Sequence, residues 1–147
     1  KNSSEVWGSF RIARRARPVV SSCDLLSSPN LVSCSHDGYA RLPGKPIHER
    51  MWELDENELK VSDQVVGGKF SGISRYVLHP SVKVASTDDC TWLLTLGNGR
   101  QIRFDTLSGS GTVERACYSP KFGQVVDTQS ICVKLDDGNA IARLSWD

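Results

Sequence analysis

No two of the five cysteines stand in a CxxC pair, which excludes the close-set thiolates of a zinc ribbon. Cys23, Cys34, Cys90, Cys117 and Cys132 are scattered and odd in number. The plain reading is small apolar side chains facing a core, which the strand-like surroundings of Cys34 and Cys132 fit, and export of the parent protein would allow one or two disulfides. Histidines are equally sparse. His36, His48 and His79 form no HxH or HxxxH pair, the spacings that put two ligands on one face of a strand or helix. Each is expected in a structural role. A GxSxG elbow, a P-loop and a dinucleotide fingerprint are all missing, so phosphate and dinucleotide cofactors have no support. No apolar run approaches the roughly 18 residues of a membrane helix, which argues against a membrane span. A net charge of +1 over 147 residues supplies no global field to draw the chain onto nucleic acid.

Helical periodicity is nearly absent as well. What is present is a series of runs of about 5–8 residues between Gly, Asn, Asp, Ser and Pro punctuation, the pattern of an all-β protein. Strands are expected at Arg11–Val20, Leu31–Ser35, Pro46–Leu54, Glu58–Val66, Ser74–Leu78, Val82–Ser86, Thr91–Leu96, Gln101–Phe104, Thr112–Tyr118, Ser130–Leu135 and Ala140–Trp146. Three hairpins stand out, closed around Asp55–Asn57, at Gly97-Asn98-Gly99 and at Asp137-Gly138. Asn-Gly and Asp-Gly supply the positive φ of tight hairpin turns. Leu59, Val61 and Val65 share one face of a strand, as do Trp92, Leu94 and Leu96, and Ala140, Ala142, Leu144 and Trp146. Strands with one wet and one dry face pack as two sheets, so residues 1–147 are expected to form a single antiparallel β-sandwich domain. Ser21–Asn30 and Leu107–Gly111 read as loops.

Chemistry-bearing residues concentrate in two places. His36, Asp37 and Tyr39 put an imidazole, a carboxylate and a phenol within four residues, suited to proton transfer or to binding a sugar ring. The plainer alternative is a turn at Asp37-Gly38 with the Tyr39 ring packed and its hydroxyl wet. Arg11, Arg14, Arg15 and Arg17 make the most basic stretch. In an extended strand Arg11, Arg15 and Arg17 share one face at about 7 Å per two residues, a spacing able to track the carboxylates or sulfates of a polyanion. A solvated strand face is the alternative there, and exposed aromatics interleaved for nucleic acid are missing. The neighbouring pairs Asp88-Asp89 and Asp136-Asp137 are turn residues, not glycosidase carboxylates set across a cleft.

SSEVWGSFRIARRAR (Ser3–Arg17), HDGYARLPGKPIHERMWELDENELKVSDQVVGG (His36–Gly68) and YVLHPSVKV (Tyr76–Val84) resemble the C-terminal part of the heparinase II/III-like polysaccharide lyases. CYSPKFGQ and the terminal ARLSW are weaker matches. The resemblance implies an antiparallel β-sandwich that follows an N-terminal helical toroid in a larger lyase. Such enzymes cleave uronic-acid polysaccharides by β-elimination: a tyrosine or histidine takes the C5 proton and the glycosidic oxygen leaves as an alcohol. It also implies that the catalytic tyrosine, its histidine partner and the ligands of a divalent metal such as zinc lie ahead of Lys1, since the Gly-His-Ala-Asp-type and His-Asn-Thr-type motifs are missing here. These residues then carry no catalytic group and no cofactor of their own, and are inactive alone. Their expected role is support of the substrate groove, lined by Arg11, Arg15, His36, Tyr39 and Arg41 against an acidic polysaccharide. Open sheet edges, where the first strands of the sandwich are missing, would favour self-association. The second reading is a stand-alone module that binds acidic carbohydrate without chemistry.

Overall fold

The computed structural model describes residues 3–8, 11–67 and 70–147. Ser9, Phe10 and Gly68 of the motifs above lie outside them. Thirteen strands follow in order: β1 (Glu5–Gly8), β2 (Arg11–Arg14), β3 (Pro18–Asp24), β4 (Asn30–His36), β5 (Ile47–Leu54), β6 (Glu58–Val66), β7 (Ile73–Val77), β8 (Lys83–Ser86), β9 (Thr91–Thr95), β10 (Gln101–Ser108), β11 (Ser110–Tyr118), β12 (Val126–Lys134) and β13 (Asn139–Ser145). They form an eight-stranded sheet in the order β3-β4-β5-β6-β13-β10-β9-β8, a three-stranded sheet β11-β12-β7, and the ribbon β1-β2. Every pairing is antiparallel. This is the all-β sandwich the patterning implies.

The sheets meet where the alternation is strongest. Trp92 and Leu94 of β9, Phe104 of β10 and Ala140 and Ala142 of β13 face Ile131 and Val133 of β12. Phe104 is wholly buried, with the Tyr76 ring edge-on at 5.0 Å and Trp92 at 6.0 Å. Edge-to-face rings add to the area they bury. At one corner the chain passes between the sheets. Gly109, at φ 94°, separates β10 from β11, a left-handed backbone that favours glycine. Next to it, a β-carbon on Gly111 would strike the buried Trp92 ring and stand 2.8 Å from Thr106 Oγ1.

Three strand and loop expectations are corrected, and so is the core placement of Cys23, Cys90 and Cys117, which are exposed, whereas Cys132 is buried. Arg11–Val20 is not one strand: β2 pairs with β1, β3 pairs with β4, and Arg15–Arg17 separates them. The backbone amides there leave the ladder, Ala16 N–H donating to Ser4 Oγ (3.3 Å) and Arg17 N–H to Asp37 Oδ1 (2.9 Å), just ahead of a proline that cannot donate. Ser21–Asn30 is loop only at 25–29, because β3 runs to Asp24 and β4 begins at Asn30. Leu107–Gly111 is strand on both sides of Gly109. Short polar residues there masked an edge-to-edge passage. The turns at Asp137-Gly138 (φ 43° and 81°) and Gly99 (φ 84°) take the expected positive φ.

The short sheet covers only part of the long one. The apolar core gathers under β9, β10 and β13. On the far side β4 is half-buried along its whole length and β3 is exposed throughout. Between these regimes, on β4, β5 and β6, the inter-sheet interior turns polar.

Candidate functional site

Register builds the polar margin. His36 on β4 lies opposite His48 on β5, and Arg50 on β5 lies opposite Asp63 on β6. Alternation puts His48 and Arg50 on one face of β5, and Asp63 on the same face of β6 as the buried Val61. Ser74 and Tyr76 descend from β7, beside Val133 and Ile131 of the core.

The side chains form one continuous network. His36 Nε2 lies 3.1 Å from His48 Nδ1, and His48 Nε2 lies 2.7 Å from Asp63 Oδ1. Arg50 donates from Nε to Asp63 Oδ1 (2.7 Å) and from Nη2 to Oδ2 (2.9 Å), a fork-to-fork pair, and Nη2 also reaches Ser74 Oγ at 2.8 Å. The Ser74 hydroxyl donates to Asp63 Oδ2 (2.6 Å), tying the two sheets together. Bidentate guanidinium–carboxylate pairs are among the strongest polar contacts proteins make. Arg50 is further flanked by the Trp52 and Tyr76 rings, each 5.9 Å from its guanidinium carbon. Tyr76 thus touches the apolar core on one side and this cluster on the other.

Electrostatics follow from the contacts. Burial pushes the Asp63 carboxyl up, but hydrogen bonds from His48, Arg50 and Ser74 outweigh it and hold the group well below the usual carboxylate range. Burial, with His48 and Arg50 nearby, lowers His36 against an opposing pull from Asp37. Burial raises the Tyr76 phenol.

The network walls an open-mouthed cavity of about 520 Å³. Tyr39, Phe70 and Arg75 line it together with His36, His48 and Arg50. Arg75 is half-exposed and commits Nη1 to Glu114 Oε2 and Cys132 Sγ, each at 2.9 Å. Arg50 Nη1 makes no hydrogen bond to any described residue. The cavity therefore presents two guanidinium groups and two aromatic rings.

The expected site residues divide between two regions. His36 and Tyr39 line the cavity, their rings 5.3 Å apart. Arg41 is not among the lining residues and acts as a tie beside them: Nη1 donates to the Ser3 carbonyl (2.8 Å) and to the Gly38 carbonyl. That turn is closed by Ala40 N–H to Asp37 O (2.8 Å). Gly38 is required there, since a β-carbon would meet the Ser3 carbonyl and stand 2.8 Å from Ala16 Cβ. Arg11, in β2, and Arg15, between β2 and β3, are exposed and are not among the cavity's lining residues. His79 lies apart, stacked edge-on against Tyr118.

Sequence reasoning missed His48, Arg50, Asp63, Ser74 and Arg75 as site residues. One signal was available. Val61 and Val65 define the buried face of β6, and Asp63 lies between them on that face, a buried acid in need of a partner. Opposite charge at the facing position of the preceding hairpin strand was readable as Arg50.

No three His, Cys, Asp or Glu side chains converge as metal ligands among the described residues. The network itself does not fit a cation: both His48 nitrogens are engaged and His36 Nδ1 faces the Gly38 N–H at 3.2 Å.

The described residues thus form a two-layer antiparallel β-sandwich with a basic, aromatic cavity at its polar margin. The family described as heparinase II/III-like, C-terminal, matches residues 1–147, and the chain belongs to it. Among solved structures it is similar to the heparinase III BT4657 gene product (TM-score 0.71, 16% identity, covering 87% of this chain and 21% of that one). It is also similar to the heparan sulfate lyase HepC from Pedobacter heparinus (TM-score 0.71, 14% identity, 91% and 22%). The chain thus spans about a fifth of the length of these relatives. No curated protein matches it.

Proposed function

We propose that these residues are the β-sandwich part of a polysaccharide lyase that pairs with a helical toroid, and that the cavity beside His36 and Tyr39 holds an acidic sugar of the substrate. The observation that carries this is the convergence of Arg50 Nη1, Arg75 and the Tyr39 ring on one open cavity. A uronate carboxylate or sulfate suits a guanidinium fork, and a sugar ring suits an aromatic face. Family membership and fold support the reading. Arg11, Arg15 and Arg41 would extend the basic surface away from the cavity along the chain. In the whole lyase, β-elimination moves the C5 proton of the uronate to a base and expels the glycosidic oxygen as an alcohol. Both imidazoles beside the cavity have their nitrogens engaged, so the base comes from elsewhere, as would any divalent metal. The contribution of this part is to bind and orient the anion, whose charge grows as the proton leaves.

The same engaged imidazoles favour the second reading, a module that binds acidic carbohydrate without chemistry. Two measurements separate them. Heparan sulfate, alginate and hyaluronan incubated with these residues alone should give no unsaturated-uronate absorbance, and robust turnover would overturn the assignment of chemistry to another part. Calorimetry with a heparan sulfate hexasaccharide should show binding that Arg75→Ala weakens about 5- to 10-fold, about 1–1.4 kcal/mol. An unchanged affinity removes the cavity from the function. Restored turnover when a helical toroid is supplied selects the lyase over the binding module.

A further inference from the structure

The three bonds that run from the Gly38 turn to Asp63 fix where the protons are. A backbone N–H can only donate, so Gly38 N–H makes His36 Nδ1 an acceptor at 3.2 Å. A neutral His36 then carries its proton on Nε2 and donates it to His48 Nδ1 at 3.1 Å. His48 Nδ1 being an acceptor, its proton sits on Nε2 and is donated to the Asp63 carboxylate at 2.7 Å. Each donor faces one acceptor along the whole line, and every ring nitrogen is used. A third proton has no place. On His48 Nδ1 it would face the His36 N–H, and on His36 Nδ1 it would face the Gly38 N–H.

We propose that Gly38, His36, His48 and Asp63 form a proton-locked relay that keeps both imidazoles neutral as Nε2–H tautomers. In it His36 and His48 are positioning residues that set the Tyr39 turn against the cavity. The charges around the pair pull both ways, Asp37 and Asp63 toward imidazolium and Arg50 against it, and the hydrogen-bond directions decide. From β5 Arg50 adds positive charge near the rings, from β6 Asp63 takes the terminal hydrogen bond, and Arg75 of β7 lines the same cavity while paired with Glu114. Asp37, on the turn itself, spends an oxygen on Arg17 N–H. Burial raises the Tyr76 phenol, which stays protonated. Burial lowers His36, toward the neutral ring.

Two consequences follow, the second resting on the proposed binding of an acidic sugar. The Tyr39 turn is held by hydrogen bonds rather than by charge. The cavity also meets its anion with guanidinium groups alone, so affinity does not climb as pH falls through the ordinary histidine range. A pocket using free histidines would gain charge and affinity there.

The test begins without any ligand. In long-range ¹H–¹⁵N correlation spectra of the histidine-labelled protein, His36 and His48 should both show the Nε2–H pattern at neutral pH. An Nδ1–H pattern, or imidazolium in either ring at neutral pH, overturns the relay. Substitution then separates positioning from bulk. His48→Gln keeps an acceptor and a donor on one side chain and should preserve the Tyr39 ring signals, whereas His48→Phe should shift them. Equal shifts in both variants, each still folded by circular dichroism, overturn the positioning role. Hexasaccharide affinity measured from pH 7.5 to 5.5 should vary less than about 2-fold; a rise of 10-fold or more overturns the neutral pair. Intact tautomers with no binding at any pH would uphold the relay and sink the proposed function instead.

Discussion

Replacing Asp63 by asparagine should cost the protein about 3 kcal/mol. The carboxylate accepts from His48 Nε2 and Arg50 Nε on one oxygen, and from Arg50 Nη2 and Ser74 Oγ on the other. Asparagine keeps one oxygen and turns an NH₂ toward the second pair, where Ser74 can rotate to accept but Arg50 Nη2 cannot. One charge-assisted bond is lost, at about 1.5–3 kcal/mol, and the guanidinium loses its counter-charge. Breaking a buried pair by removing one partner costs about 3–5 kcal/mol. The Asp63 side chain is 1% exposed and Arg50 is 26% exposed, so partial solvation of the cation puts the loss near the bottom of that range. At about 2–4 °C per kcal/mol for a protein of this size, Tm should fall by roughly 6–12 °C. Urea unfolding is the assay: the midpoint should drop with the slope unchanged. Glu53→Gln is the comparison, since the Lys60–Glu53 pair (2.9 Å) leaves both side chains partly in water and should lose under about 1 kcal/mol. If Asp63→Asn costs no more than Glu53→Gln, the network is not what fastens the two sheets.

Acid should weaken the fold through the same group. Asp63 is held below its unfolded value, so the unfolded chain takes the proton first; the contribution is complete above about pH 5 and is lost as pH falls below about 4. His36, lowered in the folded state, adds a shallower loss beginning below about pH 6.5. Denaturation series from pH 8 to 3 should show both slopes, and Asp63→Asn should flatten the lower one. Gly111→Ala should destabilise by about 1–3 kcal/mol, because its methyl group must displace the buried Trp92 ring; thermal melts read it directly. Thr106→Val should stabilise by about 1 kcal/mol: Thr106 Oγ1 is buried with no hydrogen-bond partner among the described residues, and an isosteric methyl group removes an unpaired polar atom. A loss of stability there would mean that the hydroxyl is satisfied.

Much of the fold was written into local pattern. The alternation of Trp92, Leu94 and Leu96, and of Ala140, Ala142 and Leu144, names the face that became the core, and Asp137-Gly138 fixes a hairpin by its backbone needs alone. Strand identity is a property of a few adjacent residues. Failures came where backbone groups bond outside the ladder, as at Ala16 and Arg17, and where the chain changes sheets at Gly109. The site was legible only in its turn. His36 and Tyr39 stand out because they are neighbours on a loop. His48, Arg50 and Asp63 join them through cross-strand register, which places residues twelve and thirteen positions apart in contact, and Ser74 and Arg75 arrive from another sheet. Spacing rules for single helices or strands do not reach such contacts.

Backbone amide and arginine side-chain NMR signals, followed as a heparan sulfate hexasaccharide is titrated into the protein, test the account most directly. Perturbations should centre on Tyr39, Arg50 Nη and Arg75, stay small at His36 and His48, and vanish in Arg75→Ala. Perturbations confined to the β1–β2 ribbon and Arg15, or none at saturating sugar, would contradict it.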